Sequence, residues 1–424
     1  MNKQVLTVFS MYLGYACFMI LKTAPVAVSP ALIDDPSMGV DEVYWGKILA
    51  VATIGGILGK FLTGWMADRF GGKFTFVVGL LATSLAVALF AISPGAWFCG
   101  FAYFVAVLAK ASGWPSMAKL IGNWFRPTQF GRVWGIISTS SRVGTIAATL
   151  LLGALLAAIS WRWVLIVSAG LGGLFVFYCI FTLREHPATR PESSTTRSPS
   201  ETEPERNAHA LDGTTLSEAL RHFFTSRRFW CITGSLMGLT ILWDFINWMP
   251  QYLKTTLDID PSGASMLTTA FPLGSFVSVL AGGYVFDKLD RGRMALVMGA
   301  LLVIASACIL TLYLMPSWGL QADGLIVLTA VDLFVFGLCV SPCYYLPMSV
   351  FSIEFGGPHS GFLIALLDAL AFSASAVFSW FGGDLIDAGG WTLFLGVLLS
   401  VSAWSAVTMF AFLRGEARAA AIPQ

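Results

Sequence analysis

Apolar runs of about twenty residues, divided by short polar breaks, recur along the whole chain. A helix needs about 20 mostly apolar residues to cross a bilayer. Twelve segments reach that length: roughly 5–32, 44–66, 74–94, 97–121, 131–156, 162–183, 229–252, 262–286, 294–315, 323–350, 360–382 and 391–413. The ten-residue alternation of a membrane barrel is absent. Closed helices remain, because lipid cannot satisfy free backbone groups. The pattern predicts an all-α polytopic membrane protein. Arg184–Arg228 interrupts it with PATRPESSTTRSPSETEPERN, too poor in apolar residues to bury a core and read as a mobile linker. The expected division is a six-helix bundle over 1–183, a linker over 184–228 and a second six-helix bundle over 229–424.

Composition agrees. Of 424 residues 56% are hydrophobic and 12% charged, against about 25% charged in a soluble domain. A net charge of +1 with no dominant basic patch argues against nucleic acid as a partner. The seven cysteines sit singly in or beside apolar segments and read as small packing residues, not a metal site or disulfide framework. The first apolar run has one lysine before it and no cleavage signature, so it reads as a retained helix. Seventeen of the 25 Lys and Arg fall at the termini, the linker and the 2–3, 4–5 and 8–9 loops. By the positive-inside rule these are cytoplasmic, and a bacterial inner membrane is the expected location.

The charges inside the apolar segments change the picture most. Lys22 has about ten uncharged residues on each side, and a lysine there costs roughly 2.5–3.5 kcal/mol to insert. Such a residue faces a cavity or a partner. Tyr15, Phe18 and Lys22 share a helical face by i, i+3, i+7 spacing. Lys60, Lys110 and Arg142, with Ser141 beside it, add cations to the first half; Lys119 is nearer a helix end and is read as snorkelling. The second half has acids instead: Asp244, Asp368, and Asp332 at the start of the tenth helix. Asp244 shares a face with Asn247 and Trp248. Cations crowded in one half need counter-charge from the other half or from a ligand, which favours an anionic cargo. These cations, with Tyr15, Phe18, Ser141, Asp244, Asn247, Trp248, Tyr344 and Tyr345, are the candidate cargo-binding residues. Asp368, Asp244 and Asp332 are candidate proton carriers, since a buried carboxylate holds a proton more readily.

An internal repeat supports the division. GWMADRFGGK in the 2–3 loop is echoed by GYVFDKLDRGR in the 8–9 loop, with Asp68 and Asp287 219 residues apart. Gly64, Asp68, Arg69, Gly71 and Lys73 match the hallmark loop of the major facilitator superfamily, G-x-x-x-D-[RK]-x-G-x-[RK]. Asp287 and Lys288 begin a degenerate second copy. The chain thus resembles that superfamily. The resemblance implies twelve transmembrane helices in two pseudo-symmetric bundles that rock about a central site. In that fold the loop motif pairs across the bundles at the cytoplasmic gate.

A weaker resemblance, to the organophosphate:phosphate antiporter family, rests on five stretches. They are GYACFMILK at 14–22, GKFLTGWMAD at 59–68, SGWP at 112–115 with NWF at 123–125, NWMPQYLK at 247–254, and the run at 337–342. That family holds phosphate with arginines on helices one and seven, a lysine on helix two and a histidine on helix five. Lys22 falls at the first arginine, Lys60 at the lysine, Ser141 at the histidine and Leu242 at the second arginine. Two guanidinium forks grip a phosphate dianion bidentately, whereas lysine acts as a point charge.

No phosphate-binding G-x-x-x-x-G-K-[ST] loop is present, so ATP is not the expected driver. No cofactor or metal is expected, and a carrier rather than an enzyme. The leading expectation is a monomeric secondary active transporter, surrounded by membrane lipid. Its cargo is an organophosphate, a carboxylate or a larger anion, moved by proton symport or by antiport with a counter-anion. A proton-driven exporter of amphipathic compounds and a transporter-like sensor are the alternatives.

Overall fold

The computed structural model describes residues 3–126, 129–186, 211, 213–286, 289, 291–319 and 321–420. The first half holds α1 (Lys3–Ala27), α2 (Ser29–Ile33), α3 (Glu42–Phe70), α4 (Gly72–Ala91), α5 (Ala96–Lys110), α6 (Gly113–Trp124), α7 (Phe130–Leu156) and α8 (Trp161–Thr182). The second holds α9 (Leu216–Thr225), α10 (Arg227–Asp244), α11 (Met249–Leu257), α12 (Pro261–Leu267), α13 (Ala270–Phe286), α14 (Arg291–Leu314), α15 (Ala322–Gly356) and α16 (Ser360–Ala420). Among the described residues there is no strand.

Eleven helical stretches of the described residues are long and apolar enough to cross a membrane. The last, Phe362–Gly415, runs 54 residues. At 1.5 Å per residue that is roughly 80 Å, far more than one bilayer core of about 30 Å. It is broken at Gly389 and Gly390, where Gly390 adopts φ 66°. This run therefore crosses twice, giving twelve crossings in two six-helix bundles. The expected gap between the last two helices, 383–390, is filled by helix almost to the break.

The sequence reading of Arg184–Arg228 needs correction at its end. Residues 187–210 lie outside the described residues, but α9 is a helix with a complete capping box between Thr215 and Glu218. The Glu218 carboxylate accepts hydrogen bonds from Thr215, which hold its carboxyl below the usual range. Phe223 is wholly buried and packs against Phe229 and Phe355. His359 bonds Thr214, tying this segment to the turn after α15. The TLSE pattern was a legible helix start, outweighed by the polar composition before it.

The loop motif is also placed differently from expectation. Among the described residues Asp68 pairs with Lys119 at 3.2 Å, within the first half. The Lys73 ammonium donates to the Ile180 carbonyl, and Glu185 accepts from the backbone of Gly72 and Lys73. Gly71 sits at φ 87° with the Glu185 carboxylate where a Cβ would stand. The motif thus braces α3, α4, α6 and α8 of one bundle, because its charges reach α6 and α8 first. Arg69 is exposed at the end of α3, and Gly64 faces open space. Asp287 and Lys288 lie outside the described residues.

The halves meet closely at the opposite end, that of the 1–2 and 7–8 loops. The Trp45 indole donates to the Asn247 carbonyl at 3.4 Å, and Gln251 donates to Glu42 at 2.9 Å. Lys254 pairs with Asp34, and Ser262 donates to the Gly153 carbonyl at 2.7 Å. Small residues let backbones touch, as helix packing in lipid requires. A Cβ on Gly383 would lie 2.3 Å from the Glu42 carbonyl, and one on Gly46 2.4 Å from that of Ser379. Nearby, Asp35 accepts from Ser37 and Trp161, which hold its carboxyl below the usual range.

This seam yields a test. Overpacking costs about 1–3 kcal/mol, so Gly383→Val is expected to spread the seam. With cysteines at 34 and 254 and a short bifunctional maleimide, the cross-linking rate should fall about fivefold or more. Gly64→Val, which meets no atom within 4 Å, should leave it unchanged.

Candidate functional site

Two helix breaks lie beside the charges inside the apolar segments. Lys110 is the last residue of α5, and the chain turns through Ala111 and Ser112 before α6 starts at Gly113. A Cβ on Gly113 would meet the Tyr15 ring at 2.5 Å, so glycine lets α1 approach this break. Asp244 is the last residue of α10, followed by one 3-10 turn over Phe245–Asn247 and then α11. Broken helices of this kind bring helix ends into transporter sites.

Around these breaks the structure assembles opposed charges from both halves. Lys60 of α3 pairs with Asp368 of α16 at 2.6 Å, and its ammonium lies 4.3 Å from the centre of the Phe372 ring. Tyr344 of α15 donates to the other Asp368 oxygen at 3.4 Å. Lys110 is within electrostatic reach of Lys60 and Asp368 and lies 5.6 Å over the Tyr15 ring. Lys22 of α1 stands within electrostatic reach of Asp244. Asp244 is held by Ser375 of α16 and accepts from Asn247 at 3.5 Å. Arg142 of α7 lies 5.7 Å from the centre of the Trp243 ring and donates to the Ser141 hydroxyl at 2.9 Å. Trp243 in turn stacks on Tyr344 at 6.1 Å. The cluster therefore links α1, α3, α5, α7, α10, α15 and α16.

Side-chain exposure is 43% for Lys60 and 20% for Asp368. A cavity of about 80 Å³ lies beside this pair, lined by Ile57, Phe61, Ala365 and Ala369. Lys22, Lys110, Arg142 and Tyr344 are half-buried, and Asp244 is buried.

Other residues marked in the sequence stand elsewhere. Phe18 is wholly buried against Phe76 at 5.3 Å, inside the first bundle. Trp248 is buried against Gly46, Gly382 and Phe394, where it fills the seam; Asn247 lends the same seam its carbonyl. Asp332 is not at a helix start. It lies ten residues into α15, buried, beside Cys308 of α14 and apart from the cations. Leu242, at the position of the antiporter arginine, is wholly buried. The Tyr345 side chain lies outside the described residues. All seven cysteines are free thiols.

Four contributors carried no signal of their own. Tyr103 donates to the Lys22 carbonyl at 3.0 Å. Ser375 holds Asp244, Phe372 faces Lys60, and Trp134 stacks on Trp114 at 5.0 Å. Each is a common residue in an apolar run, and only the crossing of distant helices gives it a role.

With this geometry in view, the comparisons with known proteins define the class. Residues 7–352 match the family described as Major Facilitator Superfamily. The chain belongs to the major facilitator superfamily. Over 421 residues it is 24% identical to the "Membrane sensor protein UhpC" of Escherichia coli, covering 96% of this chain and 91% of that protein. It is 23% identical to the "Probable hexose phosphate transport protein" of Chlamydia trachomatis, covering 67% and 64%. Among solved structures it is similar to a bacterial homologue of the human lysosomal transporter Spinster in an inward-facing, unoccupied conformation. That likeness has a TM-score of 0.67 at 18% identity and covers 97% and 94% of the two chains. The nucleoside transporter NupG gives 0.69 at 15% identity, covering 98% and 99%. These likenesses support the fold.

The ion pair across the halves is open to measurement. In a double-mutant cycle of Lys60→Ala and Asp368→Ala, thermal unfolding in detergent should show a coupling of about 1 kcal/mol. Additive effects would mean that the two side chains do not interact.

Proposed function

We propose that this chain is a secondary active carrier of an organic anion bearing two negative charges, of the phosphate monoester class. One observation carries the reading. Three lysines, Lys22, Lys60 and Lys110, stand within electrostatic reach of two carboxylates, Asp244 and Asp368, in one cluster inside the apolar segments. Unpaired charge is costly in such surroundings. Basic groups outnumber carboxylates in this cluster, which favours an anionic cargo. Similarity to proteins named as hexose phosphate and glycerol-3-phosphate transporters supports the same cargo class.

In this proposal the seam at Asp34 and Lys254 is the outer gate. Both termini and the linker are cytoplasmic, following the basic loops. The empty carrier holds Lys60 on Asp368. An arriving anion competes for Lys60 and Lys110, and Asp368 is released to take a proton or to wait for a counter-anion. Lys22 and Asp244 respond together at the second break. Arg142, Ser141, Tyr15, Trp243 and Tyr344 shape the polar wall. The remaining proton candidate, Asp332, is set apart from the cations and takes no part in cargo exchange.

Uptake of labelled glycerol-3-phosphate, hexose-6-phosphate and a dicarboxylate into proteoliposomes tests this, with and without a pH gradient and internal phosphate. Phosphate ester uptake is expected, and Lys22→Ala or Lys60→Ala should lower it tenfold or more, the effect of about 1.4 kcal/mol at the site. Asp368→Asn, which removes the competitor, should tighten anion binding and abolish any response to the pH gradient. A pH response kept in Asp368→Asn would move the proton site elsewhere. Likeness to a membrane sensor over 96% of the chain favours a second reading, binding without transport. Anion-induced thermal stabilisation with no uptake would establish that reading instead. Efflux of hydrophobic cations with no anion uptake would establish an exporter.

A further inference from the structure

A large groove lies on the second half, and none of its lining residues belongs to the charge cluster. It has a volume of about 710 Å³ and runs along α10, between it and both arms of α16. Arg227, the first residue of α10, lines one end, and Ile241 lines the other. Trp230 and Trp404 form the walls and are 51% and 59% exposed. Gly234 lies in the floor, and Thr408 lines the wall beside it.

Length decides what fits. Arg227 and Ile241 are fourteen residues apart, about 21 Å along a helix axis. A bilayer with its headgroup regions is about 40–45 Å thick, so the groove spans about one leaflet. It begins with a cation and an exposed tryptophan at the level of α9, where interfacial residues belong. Its other end, at Ile241 and Ala374, is apolar. Charge agrees with this polarity. Arg228 turns inward over the Phe351 and Phe355 rings, at 5.8 and 5.5 Å. Arg227 is left facing the groove mouth. The amphipathic helix α9, with Arg221 exposed on it, leads directly into this mouth.

We propose that this groove is a binding site for one anionic phospholipid of the adjoining leaflet. The phosphate headgroup sits at Arg227 beside Trp230, and an acyl chain lies along Gly234 and Trp404. The site is independent of the cargo reading, since it shares no residue with the charge cluster. A lipid there would anchor the start of α10, whose other end carries Asp244.

Gly234 makes the test clean. A Cβ there would meet Thr408 at 3.5 Å and Trp404 at 3.6 Å, ordinary contacts, so a larger side chain fills the groove without forcing helices apart. Cys231 also lines the groove, and the other six cysteines are buried, so it is a natural reporter. The full chain in detergent is titrated with palmitoyl-oleoyl phosphatidylglycerol or the matching phosphatidylcholine. Native mass spectrometry and Cys231 alkylation are read. One phosphatidylglycerol is expected to be retained per chain, with alkylation slowed. Its affinity should exceed that of phosphatidylcholine by about fivefold, the effect of one basic residue at a membrane surface. Arg227→Ala should remove this preference, and Gly234→Phe should remove the bound lipid while thermal stability without lipid is kept. Equal retention of the two lipids by the wild type, phosphatidylglycerol retained by Gly234→Phe, or occupation of the groove by a second copy of the chain would each overturn the proposal.

Discussion

Charge inside a membrane has to be answered by charge, and here the answer comes from the other half of the molecule. Lys60 and Asp368 stand 308 residues apart in sequence and meet at 2.6 Å. Lys22 and Asp244, also from opposite halves, stand within electrostatic reach of each other. Neither cation has an acidic partner on its own helix. The compensation therefore exists only while the halves are juxtaposed. Removing one partner leaves the survivor without its counter-charge. Any motion that separates the halves must then supply new counter-charge, and cargo is the available source.

Packing provides the opposing constraint. In lipid there is little hydrophobic force between helices, so van der Waals contact and hydrogen bonds must hold the seam. Gly46 and Gly383 bring α3 and α16 to backbone contact, and Trp248 fills the space beside them. The same two helices carry Lys60 and Asp368. One helix pair thus holds both the tight seam and the exchangeable charges. A change at the charged pair acts on the elements that a rocking motion would move.

Much of this was legible in the sequence because its causes are local. Apolar run length located the crossings, and the G-x-x-x-D-R-x-G-x-K loop marked the superfamily. Isolated charges in apolar runs located Lys22, Lys60, Lys110, Arg142, Asp244 and Asp368, since insertion cost makes each one conspicuous. What the sequence hid depends on rotation and crossing. Phe18 shares a helical face with Tyr15 by spacing, yet α4 covers it. Trp248 lies beside the Asp244 turn but rotates into the seam. Asp332 is as isolated in its run as Asp368, and only its facing toward Cys308 separates them. Ser375 has no distinguishing mark until Asp244 lies against it.

The helix breaks explain why the two carboxylates are not equivalent. The C-terminal end of a helix carries a partial negative charge, which favours cations and disfavours anions. Lys110 ends α5, so its position is favourable. Asp244 ends α10, so its ionised form sits at the unfavourable pole. It relies on Ser375, Asn247 and Lys22 to offset that field. Asp368 lies within α16, away from either end, and answers mainly to Lys60 and Tyr344. Moving the halves apart takes Lys22 from Asp244, which keeps Ser375 and Asn247 from its own half. Asp368 loses one partner and keeps a hydroxyl. With two donors kept against one, Asp244 is the more firmly held carboxylate and Asp368 the one that answers mainly to its cation.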